Sequence, residues 1–140
     1  IIIIHQELAL APQLSIAENM FLGNEVADGG VIDWYQTTAR AREFMAKVGL
    51  KESPLALITN IGVGKQQLVE IAKALTLKAR LLIFDEPTAA LGGDETDRLF
   101  EQIARLKAEG VTFIYISHRL DEIARIADRV AVLRDGQLVA

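Results

Sequence analysis

Apolar residues occupy this chain in two rhythms. Continuous runs at 1–4 and 81–84, and a β-branched and aromatic run at 111–116, have the length of buried strands. Elsewhere apolar positions recur at helical spacing: Leu68, Ile71, Ala72 and Leu75 predict a helix over 65–78, and Leu99, Ile103 and Leu106 predict one over 94–109 that Gly110 closes. Ser15 can cap a short helix running to Phe21, and Asp33 with Gln36 makes a capping box for a longer helix ending at Gly49, with Phe44, Val48 and Leu50 on or near one side. A further helix is expected over 119–127, then a strand over 129–133 that turns at Asp135-Gly136 into 137–139. The stretches 6–14 and 51–64 read as loops.

Strands separated by helices of this length imply an α/β fold with a mostly parallel sheet covered on both faces, and the run at 81–84 is too uniform to predict a wet face. There are no internal repeats, and nothing reads as a linker between two cores. The 140 residues are one domain or part of one.

Composition narrows the partners. The 15 basic and 19 acidic residues leave a net charge of −4, with no basic run dense enough to follow a phosphate backbone, so nucleic acid is not an expected partner. Zero cysteines and two separated histidines exclude disulfides and thiolate or imidazole zinc sites. No apolar run approaches the roughly 20 residues needed to span a bilayer. The chain opens on Ile1-Ile2-Ile3-Ile4, with neither a methionine nor a basic flank, and is expected to be a fragment.

The candidate chemistry sits at strand ends. In "LLIFDEPTAAL" an apolar strand runs straight into Asp85 and Glu86, and in parallel sheets ligands collect beyond the carboxyl ends of the strands. Asp85 suits magnesium, a hard ion held by one or two carboxylates together with substrate phosphates, and Glu86 could orient or deprotonate a water. Each signal has a bland counterpart: the acids could simply end a strand, His118 in "ISHRLDEI" could start a helix, and Gln6 in "IHQEL" could be surface loop. Three strand ends bearing Gln6, Asp85-Glu86 and His118 in this order make coincidence a poor explanation.

That ordered set resembles the ATP-binding cassette of ABC transporters, along nearly the whole chain. "HQEL" is similar to the family's Q-loop, "IGVGKQQLVEIAKAL" to its signature loop and following helix, "LLIFDEPTAAL" to its catalytic-acid strand and D-loop, and "ISH" to its switch histidine. "IIHQELALAPQLSIAENMFLGNE" further resembles the first cassette of the two-cassette ATPases of bacterial sugar importers, the xylose branch foremost, with ribose and arabinose relatives beside it. The resemblance implies a partial P-loop NTPase-type cassette, with a helical subdomain over about 9–77 and part of the catalytic core over 78–140. It implies ATP and magnesium as cofactors. Glu86 would be the catalytic acid, His118 the sensor of the terminal phosphate, and Asp85 and Gln6 the magnesium side. Gly62, Val63, Gly64 and Lys65 would present a helix N-terminus to a nucleotide held mainly by a second cassette. Implied partners are sugar-permease transmembrane subunits and, indirectly, a periplasmic sugar-binding protein, at the cytoplasmic face of the inner membrane.

Three departures from the family pattern bear on this expectation. Where the signature usually reads Leu-Ser-Gly-Gly-Gln, the chain has Ile61, Gly62, Val63, Gly64 and Lys65, so a serine hydroxyl is replaced by backbone amides and a lysine charge. Gly92 stands where the D-loop usually has aspartate. The phosphate cradle G-x-x-x-x-G-K-[ST] does not occur in the 140 residues: the Gly64-Lys65 pair is followed by Gln66, and Thr59 occupies the first glycine's place. In the family the cradle precedes the Q-loop, so it is expected upstream of Ile1. A soluble, non-transport ABC ATPase, a helicase-type ATPase and a fragment that binds a permease without turnover remain the competing expectations; the acidic charge and low aromatic content disfavour the helicase.

Overall fold

A computed structural model describes residues 1–5 and 7–140; Gln6, expected on the magnesium side of the site, lies outside the described residues. In chain order the elements are β1 (Ile2–Ile4), α1 (Ile16–Phe21), β2 (Ala27–Asp28), β3 (Val31–Ile32), α2 (Trp34–Lys47), a 3-10 turn (Ile58–Asn60), α3 (Val63–Thr76), β4 (Leu81–Asp85), α4 (Gly93–Ala108), β5 (Thr112–Ile116), α5 (Leu120–Ile126), β6 (Leu133–Arg134) and β7 (Gln137–Leu138).

The sheet that positions the site is parallel, in the order β1-β4-β5. Ile4 pairs with Phe84, and Asp85 with Ile116, so the three strands end nearly level and their carboxyl ends form one edge. Beneath that edge lies an aromatic column. The Phe84 ring stacks on Phe113 at 5.6 Å, and Tyr115 meets the edge of Phe100 of α4 at 6.0 Å. Such pairs add about 0.5–1.5 kcal/mol each beyond the area they bury, and here they join β4, β5 and α4 directly under the strand ends.

Among the described residues the sheet is covered on one face, not on both as the apolar runs had suggested. Along β4, Leu82 and Phe84 are buried, while Leu81, Ile83 and Asp85 are only partly so. The same alternation leaves Ile3, Ile114 and Ile116 about half exposed. Side chains alternate across a strand, so a continuous apolar run states only that both faces are greasy, not that each has a partner among the described residues.

Helices α1, α2 and α3 pack on one another. Ser15 caps α1 with a complete capping box: its hydroxyl accepts from Glu18 N at 3.2 Å and the Glu18 carboxylate accepts from Ser15 N at 2.7 Å. Asp33 caps α2, but the expected box is open. Gln36 N and Gln36 Nε2 both donate to the Asp33 carboxylate, at 2.9 and 3.0 Å, while the Asp33 N–H goes to Val26 O at 2.7 Å. The reason is the β2–β3 hairpin just upstream, which takes that amide; its turn, Gly29-Gly30 with φ of 58° and 85°, was not foreseen. The buried stripe of α2 is Thr37, Ala41 and Met45, leading into Val48, with Phe44 only partly buried at its margin.

Two boundaries moved. Helix α3 begins at Val63 behind the N-cap Gly62, which brings Val63, Gly64 and Lys65 into its first turn. The strand expected over 129–133 is shorter: Leu133–Arg134 pairs with Gln137–Leu138 around Asp135-Gly136, whose φ values of 52° and 76° suit a tight hairpin turn, and Val132 continues the ladder by donating to Ala140 O at 2.7 Å and accepting from Val139 N at 2.8 Å.

Candidate functional site

The β4 and β5 ends bring two of the candidate residues into contact. Oε1 of Glu86 lies 2.8 Å from Nδ1 of His118. Their side chains differ in exposure, 33% for Glu86 against 77% for His118, so the carboxylate is the sheltered member and the imidazole faces solvent. The contact fixes one ring nitrogen and leaves Nε2 for another partner.

Backbone geometry explains why the carboxylate points there. Strand β4 pairs with β5 through Asp85, and the next amide, Glu86 N, donates to Ile116 O at 2.9 Å. Glu86 itself has φ 46°, a left-handed conformation uncommon for a residue with a side chain and costing on the order of 1 kcal/mol. The chain thus leaves the sheet abruptly at Glu86 and turns, with Ala89 N donating to Glu86 O at 3.2 Å. Asp85, one residue earlier, ends the strand half-buried, its side chain on the opposite face from Phe84.

A second cluster sits behind this pair. Glu122 of α5 is 1% exposed, and its carboxylate accepts from Thr88 Oγ1 at 2.8 Å, Tyr115 Oη at 2.8 Å and Ser117 Oγ at 3.4 Å, and pairs with Arg119 Nη1 at 2.7 Å. Burial, with the Glu122 charge beside it, pushes the Tyr115 hydroxyl well above the usual tyrosine range, so it stays protonated and donates. Sequence reasoning missed Glu122, Thr88 and Tyr115. The available signal was weak: an acid three residues after Arg119 in "SHRLDEI" looks like an ordinary surface helix pair.

The loop at 62–65 stands elsewhere. Gly62, φ −66°, is the N-cap of α3, and the α3 amides are flanked by Glu95 of α4. Glu95 accepts from Gly92 N at 3.2 Å, so one side chain touches both the start of α4 and the signature turn. The Lys65 ammonium, expected to compensate for a missing hydroxyl, is paired with Glu52. Burial acts to raise the Glu52 carboxyl, but the Lys65 hydrogen bond and charge, with backbone amides, outweigh it and hold the group below its usual range. The lysine charge is therefore engaged within the chain. Among the described residues, no hydrogen bond or ion pair joins this loop to Glu86 or His118.

The donor set at the strand ends suits a hydrated magnesium ion only in part. Asp85 supplies one hard oxygen ligand, and no group of three acidic or imidazole side chains that could hold a metal forms among the described residues. An ion there would complete its shell with water and phosphate oxygens, which is the habit of magnesium.

A parallel sheet thus brings an acid and a histidine into contact at adjacent carboxyl ends, and comparison with known proteins gives the chain a family. The ABC transporter family model matches residues 1–89, and the chain belongs to the ABC transporter ATP-binding family. It is 55% identical over 139 residues to the L-arabinose transport ATP-binding protein AraG of Geobacillus stearothermophilus, covering 99% of this chain and 27% of that protein. It is 52% identical over 139 residues to the xylose import ATP-binding protein XylG of Moorella thermoacetica, covering 99% and 28%, and 52% identical over 137 residues to the ribose import ATP-binding protein RbsA 3 of Rubrobacter xylanophilus, covering 98% and 28%. The chain thus spans about a quarter of the length of these relatives. Its fold matches that of MJ1267, an ATP-binding cassette of an ABC transporter solved in its ADP conformation, with a TM-score of 0.83 over 99% of this chain and 59% of that one, at 23% identity. The fold is accordingly an α/β ABC cassette spanning 59% of that chain.

Proposed function

We propose that this chain is part of the ATP-hydrolysing subunit of a monosaccharide importer of the arabinose, xylose and ribose group, and that it comes from the first of two cassettes. The observation that carries the reading is the 2.8 Å contact between Glu86 and His118 at neighbouring strand ends. Glu86 takes a proton from, or orients, the water that attacks the terminal phosphate. His118 keeps its other ring nitrogen for that phosphate, and Asp85, with Gln6, serves the magnesium side. Magnesium, when bound, supplies charge neutralisation at the phosphates. Gly62, Val63, Gly64 and Lys65 offer the α3 amides to a nucleotide held by the opposite cassette.

The names of these relatives support a monosaccharide as cargo, and their near-equal identities favour no one sugar; our reading of xylose or a related pentose rests on the likeness of "IIHQELALAPQLSIAENMFLGNE" to the xylose branch. In this reading residues 9–77 face permease subunits, residues 78–140 carry the chemistry, a periplasmic sugar-binding protein acts further upstream, and the subunit is peripheral to the cytoplasmic face of the membrane. No helix of the described residues is long and apolar enough to cross a membrane.

The test is MgATP turnover by the full-length protein. Glu86→Gln keeps the shape and loses the proton acceptor, so turnover should fall by about 10² to 10⁴ while nucleotide binding persists. Undiminished hydrolysis rejects the assignment. Uptake of labelled xylose, arabinose and ribose by cells carrying the complete importer identifies the sugar.

A further inference from the structure

A carboxylate with almost no solvent contact is costly unless donors surround it. Glu122 meets that condition with three hydroxyls and a guanidinium, and the location of those donors gives the cluster its meaning. Thr88 lies two residues after Glu86. Ser117 and Arg119 flank His118 on either side, and Tyr115 is the last residue but one of β5. Arg119 N also donates to Ser117 Oγ at 3.0 Å, closing the turn that carries the imidazole. One buried side chain thus holds the segment after β4 and the segment after β5 at the same time. Its own side chain is 2% exposed and cannot reach a nucleotide.

We propose that Glu122 is a positioning residue for ATP hydrolysis: by tying Thr88 to Ser117 and Arg119 it sets the separation of Glu86 and His118. This rests on the reading of Glu86 and His118 given above. Hydroxyl donors are directional and a shared carboxylate is rigid in a packed site, so Glu122 acts as a common anchor against which both loops are registered. Misplacement of reacting groups by about 1 Å can cost on the order of 10² in rate.

The experiment uses the full-length protein and four variants: Glu122→Gln, Thr88→Val, Glu86→Gln and the double Glu86→Gln/Glu122→Gln. Glu122→Gln keeps the volume but turns an amide NH₂ towards donors and removes the charge opposite Arg119. Its kcat for MgATP should fall about tenfold or more, with KM for ATP within about twofold, and the imidazole ¹⁵N resonances of His118 should shift in the folded protein. Thr88→Val removes a single donor without changing shape and should lower kcat in the same direction, by less; it decides the matter if Glu122→Gln does not fold. The double variant Glu86→Gln/Glu122→Gln should be no slower than Glu86→Gln, because position no longer matters once the acid is gone. Parent-like kcat in Glu122→Gln, or in Thr88→Val where it must stand in, beside an inactive Glu86→Gln, overturns the positioning role alone. A lower melting temperature with unchanged kcat and unchanged His118 resonances overturns it too, by showing a purely structural residue. Full activity in Glu86→Gln overturns the role of Glu86 and this inference with it.

Discussion

The amide of Glu86 donates to the carbonyl of Ile116 at 2.9 Å, one residue beyond the last paired position of β4 and two residues before His118. That bond belongs to the backbone, so the place of Glu86 beside β5 does not depend on the imidazole it touches. The two groups can therefore be separated by mutation.

His118→Ala should leave the Glu86 backbone in place and nucleotide binding nearly unchanged, yet slow hydrolysis. A hydrogen-bonding side chain acting on a developing charge is typically worth about 10² or more in rate. Single-turnover hydrolysis in the full-length protein, alongside equilibrium MgATP binding, measures this. A loss of binding with an unchanged chemical rate would show that His118 serves affinity instead.

The signature turn yields opposite predictions at two glycines. Gly62 has φ −66°, and a Cβ there would meet only Glu95 Oε1 at an ordinary 3.8 Å, so Gly62→Ser should be tolerated and restores the hydroxyl usual in the family. At Gly64 a Cβ would come within 2.7 Å of Glu95 Oε1 and 3.1 Å of Glu95 Cβ. Gly64→Ala should therefore push Glu95 off the Gly92 amide and destabilise the protein by about 1 kcal/mol, the usual worth of a helix-terminus bond. In a Glu95→Ala background the carboxylate contacts are gone and only the 3.1 Å approach to the Cβ remains, so the same change should cost less. Thermal unfolding of the four proteins of this cycle gives the coupling, and additive effects would reject the contact.

How far the sequence disclosed this site follows from the range of the forces involved. Ser15, Asp33 and Gly110 announced helix ends because caps act over three or four residues. Asp85, Glu86 and His118 were visible because a parallel strand delivers its next residues to a known edge. Which loops touch was not visible: Thr88 and Glu122 are 34 residues apart and nothing local links them. The Lys65–Glu52 pair, which changes what Lys65 can do, hid for the same reason. The strand expected at 129–133 is shorter than its apolar run because such a run predicts pairing only where a partner exists: Val132 still bonds to Val139 and Ala140, but 129–131 have no backbone partner strand among the described residues.

Asn19 illustrates a buried polar residue whose value is local order. It is 1% exposed; its Oδ1 accepts from Ala11 N at 2.7 Å, and its Nδ2 donates to Ala11 O at 3.0 Å and Ser15 O at 2.9 Å. Asn19→Ala strands the Ala11 amide, while the Ala11 and Ser15 carbonyls keep Leu14 N and Asn19 N as donors, and should cost about 1–3 kcal/mol for the unsatisfied amide. The signature is faster hydrogen exchange at Ala11 and through α1, with the β4 and β5 amides unaffected. Equal loss of protection in β4 would mean that the loop and the sheet unfold as one unit.

The last expectation concerns acidity. Burial raises the Glu70 carboxyl above its ordinary 4.5, more than the nearby Lys73 charge and the Ala9 backbone amide lower it. One of its oxygens, Oε1, is buried without a hydrogen-bond partner among the described residues. A raised native value means that the folded protein binds the extra proton more readily than the unfolded chain. The contribution of Glu70 to stability is thus fully present below 4.5 and is lost as pH rises through the raised native value. At neutral pH the ionised side chain is a net cost to α3. Glu70→Gln removes that ionisation while keeping an oxygen for the Ala9 amide, so it should increase the protection of α3 amides against hydrogen exchange at neutral pH. The advantage should shrink as the pH falls towards 4.5, where the parent carboxyl is also protonated. Protection ratios of variant to parent, taken at each pH so that intrinsic exchange cancels, measure it; a ratio independent of pH would show that Glu70 titrates alike in the folded and unfolded chain.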